Sequence, residues 1–363
     1  MDAATWRAQY DAGRDLTIGL EEELLLLDPR TLAPLPEGPR AIELIGDSGR
    51  RFRTELPAAQ IEQVTDPCET LDCAIEELWA GRRRMAEALD GFGRVAGAAL
   101  HPTAPLRSPL VENERYAPIV AEYGPITQLE LVQGFHVHVG VAGADRALAV
   151  FNALRSFLPE VAALAGNGPF LAGEDTGLAS VRPKLAELLP RQGIPPVIAS
   201  FEYIEELTRW GAAAGAFPDA TQLWWEARLH PRHPTIEVRC ADQATTVRDS
   251  GAVADFVHSL IAWLLARHDA GEPLPVHDTV RIAENRWRAC RHGLTGSLID
   301  LESGRPVPAR ELVLSRIEEI GAGEAARALA RRTGTERQRA VAAEHGVRAV
   351  IAHLADAFLE SPA

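Results

Sequence analysis

The chain has 363 residues, 46% hydrophobic and 24% charged, a composition that argues against a disordered or low-complexity protein. Its 37 basic and 51 acidic residues leave a net charge of −14, which argues against nucleic-acid and anionic-membrane partners. The cysteines Cys68, Cys73, Cys240 and Cys290 form no CxxC pair, residues 1–15 carry no apolar signal core, and no apolar run reaches the roughly 18 residues of a bilayer span, so a cytoplasmic protein with free thiols is expected.

In chain order, residues 16–27 (LTIGLEEELLLL) fit a strand and a helix equally well and end at the turn signal Asp28-Pro29. Residues 60–65 alternate and read as a strand stopped by Asp66-Pro67. Residues 70–89 have helical spacing, and the run Arg82, Arg83, Arg84 beside Glu76, Glu77 and Glu87 reads as a solvated helix face. Residues 92–100 and 129–141 read as strands, and 144–164 as one long apolar helix. Residues 185–189 and 200–210 read as helices, 222–230 and 234–240 as two strands, and 247–268 and 279–292 as helices. From about 308 to 363 the chain is Ala-, Glu- and Arg-rich helix, with two readings: a cover for the sheet or a homodimer contact. Strands in clusters rather than strict βαβ alternation predict an α+β fold, and the lack of a clean linker predicts a single domain over 1–363.

Four segments carry chemistry. On a strand, Glu21 and Glu23 share one face and Glu22 takes the other. Glu55 and Glu62 sit in TELPAAQIEQVTDP, and His136 and His138 in GFHVHVG project to one face. Glu237 and Arg239 share a face in TIEVRCAD, with Ile236 and Val238 opposite. Oxygen-rich donors with few nitrogens and no thiolate suit Mg²⁺ or Mn²⁺, and such ions beside an arginine suit a nucleoside triphosphate. No Walker loop or kinase-type Gly-rich loop is present, so phosphate binding rests on metal ions and basic side chains. Each segment has a bland alternative as well: an acidic helix, a solvent-facing strand, a structural histidine or a surface ion pair. Trp224 and Trp225 read as packing residues rather than a base-stacking platform, and Cys240 as a small buried hydrophobe.

The motifs IGLEEELLLLDP, ELPAAQIEQVTDP, GFHVHVG, WWEARLHPRHPTIEVRCAD and ENRWRACRHG, in that order over about residues 16–293, resemble the type 2 glutamate–cysteine ligase family of carboxylate–amine ligases. The resemblance implies a glutamine-synthetase-like fold, a curved, largely antiparallel sheet with helices on its outer face. It implies metal ligation by Glu21, Glu23, Glu55, Glu62, His136 and Glu237. It also places His138 near the nucleotide, makes Arg239 the arginine that stabilises the transferred phosphoryl group, and brings one of Asn285, Arg288 and Arg291 to substrate or phosphate. The implied reaction takes ATP, a small carboxylic acid and an amine through an acyl phosphate to an amide, with weak activity toward glutamate and cysteine. A guanido or amine kinase on the same fold and a non-catalytic nucleotide-binding module are the other readings.

Overall fold

The acidic segment becomes a strand because both of its faces are covered. In the computed structural model, which describes residues 1–46 and 49–361, Ile18–Leu27 forms β1 and Leu24 to Leu27 are all buried. A run apolar on both faces fits the middle of a covered sheet. Six more strands share its sheet: β2 (Phe52–Thr54), β3 (Gln60–Val64), β4 (Arg94–Ala96), β5 (Gly134–Gly140), β6 (Ala227–Leu229) and β7 (Thr235–Asp242). Their order is β2-β3-β1-β5-β7-β6, every pair is antiparallel, and β4 pairs with the C-terminal end of β1.

Helices pack on one face of this sheet. They include α1 (Leu71–Ala88), α2 (Ala144–Leu154), α3 (Leu158–Ala165) and α4 (Val247–Asp269). Ile18 and Leu20 of β1, Phe135, Val137 and Val139 of β5, and Ile236 and Val238 of β7 enter one core with Leu78, Phe151, Leu164, Phe256 and Leu260. Burying each of these side chains contributes about 1.5–3 kcal/mol. Period-two alternation then sends Glu21, Glu23, His136, His138, Glu237 and Arg239 to the opposite face.

Most expected elements hold, with local corrections: the strand expected over 129–141 shortens to β5, and the helix expected over 185–189 falls at Arg182–Ala186. The long apolar helix is split by a 3₁₀ turn at Arg155–Phe157 just ahead of Pro159, whose ring cannot continue a hydrogen-bonded helix. The segment Ala144–Ala165 is apolar enough by composition to cross a bilayer, but 78% of its window is buried inside the protein. The strand expected over 92–100 shortens to β4. That expected over 222–230 shortens to β6, because an Asp219-capped 3₁₀ turn occupies Ala220–Gln222. Phe52–Thr54 pairs with β3 as a further strand.

Arg82 also departs from expectation. It is fully buried rather than solvated, while its neighbour Arg83 remains exposed beside Glu87. The C-terminal helices spend their apolar faces within the chain. Val313, Ile317 and Leu329 enter the main core, and Val350, Ile351 and Leu354 pack on Leu25 and Leu27. The open face of β1 is thus covered at its apolar end and acidic at its other end.

Candidate active site

Register assembles the cluster. Glu21 lies opposite His136 and Glu23 opposite Glu62. His138 lies opposite Glu237, which in turn faces Arg228 on β6. Five neighbouring strands therefore contribute carboxylates, imidazoles and guanidinium groups to one patch. His136 Nδ1 lies 2.9 Å from Glu21 Oε2, and its Nε2 lies 3.8 Å from Glu23 Oε1. His138 Nε2 lies 3.2 Å from Glu21 Oε1 and 4.0 Å from Glu237 Oε1. Backbone geometry helps: the Gly134 N–H donates to Glu23 Oε2 at 2.5 Å. A Cβ on Gly134 would meet the Arg182 guanidinium at 2.3 Å, so glycine admits that side chain beside His136.

Charge is unevenly balanced across the patch. Glu237 is buried and gripped by two arginines, Arg239 at 2.5 Å and Arg228 in a shorter contact. Burial alone would raise its pKa, but Arg228 and Arg239 hold it well below the usual carboxylate range. Glu21 likewise resists the upward push of burial, because His138 and His136 hold it low. His138 is drawn upward by Glu21 and Glu237 against a burial effect of opposite sign.

Glu55 and Glu62 lack such partners. Burial, reinforced by the charge of Glu23, pushes Glu55 up to about 7. Burial and the charges of Glu21 and Glu55 push Glu62 well above its ordinary value. Their cations are distant and wet: Arg115 lies 3.7 Å from Glu55 and Arg53 lies 3.5 Å from Glu62.

This arrangement fits divalent cations. Glu21, His136 and Glu237 present donor atoms within 4.8 Å of one another, as do His138, His230 and Glu237. Among the described residues the buried His138 Nε2 makes no hydrogen bond despite its nearby carboxylates, so a buried polar atom is left for a ligand. Mutually repelling carboxylates with one or two imidazoles are the donor set of hard divalent ions.

Sequence reasoning missed several residues here. Arg228 sits two before His230 in the WWEARLHPRH motif, and strand alternation from Glu226 is the only local signal for it. Arg182 comes from a short helix, Arg182–Ala186, and donates to the Arg239 carbonyl at 2.9 Å; no local pattern marks it. His230 accepts the N–H groups of Arg232 and His233 at its Nδ1, and burial pushes its pKa down to about 3. It is therefore a neutral imidazole whose other nitrogen carries the proton.

The three residues of the helical motif are elsewhere. On α5 (Thr279–His292), Asn285 exchanges two hydrogen bonds of 2.7 Å with the Ile299 backbone. Arg288 pairs with Glu284 one turn away in water, and Arg291 donates to the Gly177 carbonyl. None of the three reaches the carboxylate–histidine cluster, because α5 packs with α3 on the helical side of the sheet. Asn285 instead lines a cavity of about 420 Å³ with Glu160, Trp263 and Arg316, and that cavity shares no side chain with the cluster. Trp224 stacks on Arg191 and Trp225 packs against the core, as packing residues do.

Comparison with known proteins gives the family and the fold. The family model described as glutamate-cysteine ligase family 2 matches residues 17–350. A glutamate–cysteine ligase of Natronomonas pharaonis is 32% identical over 343 residues, covering 93% of this chain and 94% of that protein. A Rubrobacter xylanophilus protein provisionally named glutamate–cysteine ligase 2-3 is 36% identical over 380 residues, covering 96% and 99%. The fold matches a Francisella tularensis glutamate–cysteine ligase solved with AMP, at a TM-score of 0.68 and 13% identity over 97% of this chain and 91% of that one. It also matches a bifunctional glutathione synthetase of Pasteurella multocida, at a TM-score of 0.65 and 15% identity over 98% of this chain and 53% of that one. The chain belongs to glutamate-cysteine ligase family 2, a family of ATP-dependent ligases that form carbon–nitrogen bonds.

Proposed function

We propose that the open face of the sheet binds ATP with Mg²⁺ or Mn²⁺, activates a small carboxylic acid as its acyl phosphate and joins it to an amine. The observation that carries this is the convergence of Glu21, Glu23, Glu55, Glu62 and Glu237 with His136 and His138 on one face, where Glu55 and Glu62 have only long, solvent-exposed ion pairs and are pushed toward their neutral forms.

Glu21, Glu23, Glu55, Glu62, His136 and Glu237 are the residues that would hold the divalent ions. Those ions supply neutralisation of triphosphate charge and polarisation of the phosphoryl group. Arg239 is the catalytic guanidinium in this reading. Its N–H groups form a rigid fork suited to phosphoryl oxygens, and Glu237 at 2.5 Å orients that fork. Arg228 holds Glu237 from the other side and keeps it ionised. His138 lies at the nucleotide side of the patch, and Glu21 favours its protonated form. A cation there offsets negative charge developing on the phosphate. The amine then attacks the acyl carbonyl and phosphate departs, so no nucleophilic side chain is needed.

Glutamate and cysteine are the default substrates, as the relatives' names suggest. Substrate choice rests on loops, which vary more than the sheet. Residues 1–363 are read as one catalytic unit, since one core joins Ala3 to Ala330. The four cysteines are free thiols, which supports a reducing cytoplasmic setting. The homodimer expectation is a matter for light scattering, because the C-terminal apolar faces are already used internally.

The test is phosphate release from ATP and Mg²⁺ with glutamate fixed and a panel of amines, cysteine included. Release should require both acid and amine, and should vanish in Glu237→Ala. A stable phosphorylated acceptor formed without amine would replace the ligase with a kinase.

A further inference from the structure

Two thiols outside the open face lie in contact. The sulfur atoms of Cys68 and Cys73 are 2.9 Å apart, and neither residue has a role in the ligase reading above. Separate hydrogen-bond systems fix the two backbones. Cys68 pairs with Ile18 at the start of β1 through two bonds of 2.8 Å. Cys73 lies in the first turn of α1, where its N–H donates to the N-cap Thr70 side chain at 3.3 Å. The contact therefore follows from where the strand ends and the helix begins.

Accessibility is asymmetric. Cys68 is 3% exposed and Cys73 is exposed. Burial, contact with Cys73 and the charge of Glu77 push the Cys68 thiol up to about 12. Cys68 thus stays protonated near neutral pH and is not the sulfur that starts a reaction. Glu77 also lies close enough to complete a metal triad with the two sulfurs. Its Oε2 already accepts the Asp66 N–H at 2.9 Å, and two sulfurs alone fall short of the four ligands of a closed thiolate site.

We propose that Cys68 and Cys73 form a dithiol modification site that small soluble disulfides oxidise, entering through Cys73 and resolving onto Cys68. The Cys73 thiolate attacks one sulfur of RSSR and expels RS⁻, leaving Cys73 in a mixed disulfide. The Cys68 sulfur then displaces the second RS⁻ and gives up its proton to it. Two protein thiols are oxidised, one RSSR is reduced to two RSH, and one Cys68–Cys73 bond forms. The bond closes a short loop between the β1 pairing partner and α1, whose Arg82 also grips β1 through Glu22. Oxidation therefore ties this corner of the sheet more firmly to its helix. Disulfides of this kind are transient in reducing compartments, in keeping with the free-thiol reading.

The experiment treats the native, full-length protein with 2-hydroxyethyl disulfide, quenches with an alkylating agent at intervals and maps peptides by mass spectrometry. An adduct on Cys73 should appear first and give way to a Cys68–Cys73 crosslink, while the buried Cys240 and Cys290 stay reduced. Cys68→Ser should trap the Cys73 adduct, and Cys73→Ser should remove both species at this site. The crosslinked wild type should melt at a higher temperature than the same sample after reduction. A stable Cys73 adduct in the wild type with no crosslink, or both thiols open to alkylation after oxidation, overturns the proposal. The wild-type time course decides this whatever the variants' folding, and independently of any ligase activity.

Discussion

Glu22 and its neighbours Glu21 and Glu23 are adjacent carboxylates on one strand with opposite surroundings. On the helical face Glu22 is fully buried and fully partnered. Arg82 meets it with two N–H groups at 2.9 and 2.6 Å, and Ser250 and Gln243 donate at 2.6 and 2.9 Å. On the open face Glu21, Glu23 and Glu237 share two histidines, and Glu55 and Glu62 remain short of positive charge. One arrangement is closed and needs nothing from outside. In the proposed reading the other is completed by a ligand. The contrast separates a structural carboxylate from the proposed metal carboxylates within three residues.

The closed side should show the largest effect on stability. Arg82→Met leaves Glu22 buried without its cation and should cost about 3–5 kcal/mol, read by urea unfolding of the metal-free protein. The double variant Glu22→Leu/Arg82→Met should recover most of that loss, since a well-packed apolar pair can replace a buried ion pair. If the single variant is as stable as wild type, the contrast between the two faces collapses.

The open side should behave in reverse. Glu237→Gln should lower ATP-dependent turnover by about 10²–10³-fold, the scale of losing one transition-state contact. It should cost less stability in urea than Arg82→Met, since Arg228 and Arg239 keep a neutral acceptor and are themselves partly exposed. Equal losses of stability and activity would make Glu237 structural, like Glu22.

A milder prediction concerns pH. Glu55 titrates near 7 in the folded chain against an ordinary value of 4.5, and Glu62 is shifted the same way. The folded state therefore holds protons that the unfolded state has released, so metal-free stability should fall as pH rises from about 4.5 to about 7. His138, raised by Glu21 and Glu237, adds to the same trend, because its stabilising charge is lost as pH rises through its folded pKa. Glu21 and Glu237 are shifted down and act only at lower pH, where their contribution is lost on acidification. Millimolar Mg²⁺ should flatten the fall above pH 5 in calorimetric midpoints, and Glu62→Gln should flatten it without metal. A slope unchanged by Mg²⁺ counts against the open face as a cation site.

Much of this contrast was legible in the sequence. Alternation alone put Glu21 with Glu23 and sent Glu22 away, and it paired His136 with His138 and Glu237 with Arg239. The even choice between helix and strand for residues 16–27 was beyond local pattern, since only pairing with β3, β4 and β5 decides it. The partners of Glu22 were also hidden, because Arg82, Gln243 and Ser250 lie 60, 221 and 228 residues away. A run of three arginines looks like a wet surface until tertiary packing buries one of them. The same limit applies to Arg182, which reaches the Arg239 carbonyl across 57 residues.

The smallest effect tests where the open face ends. Arg288 lies in the helical ENRWRACRHG motif and was expected among the residues that meet substrate or phosphate. Among the described residues it pairs with Glu284, 3.3 Å away on the same helix, with about a third of its side chain in water. Exposed pairs of this kind contribute under about 0.5 kcal/mol. Arg288→Ala should therefore leave the unfolding midpoint, turnover and KM for ATP unchanged within error. A tenfold rise in KM for ATP would instead mean that α5 swings its basic face to the nucleotide when substrate binds. The catalytic patch would then extend beyond the sheet, and the division between a closed helical face and an open acidic one would hold only for the unliganded chain.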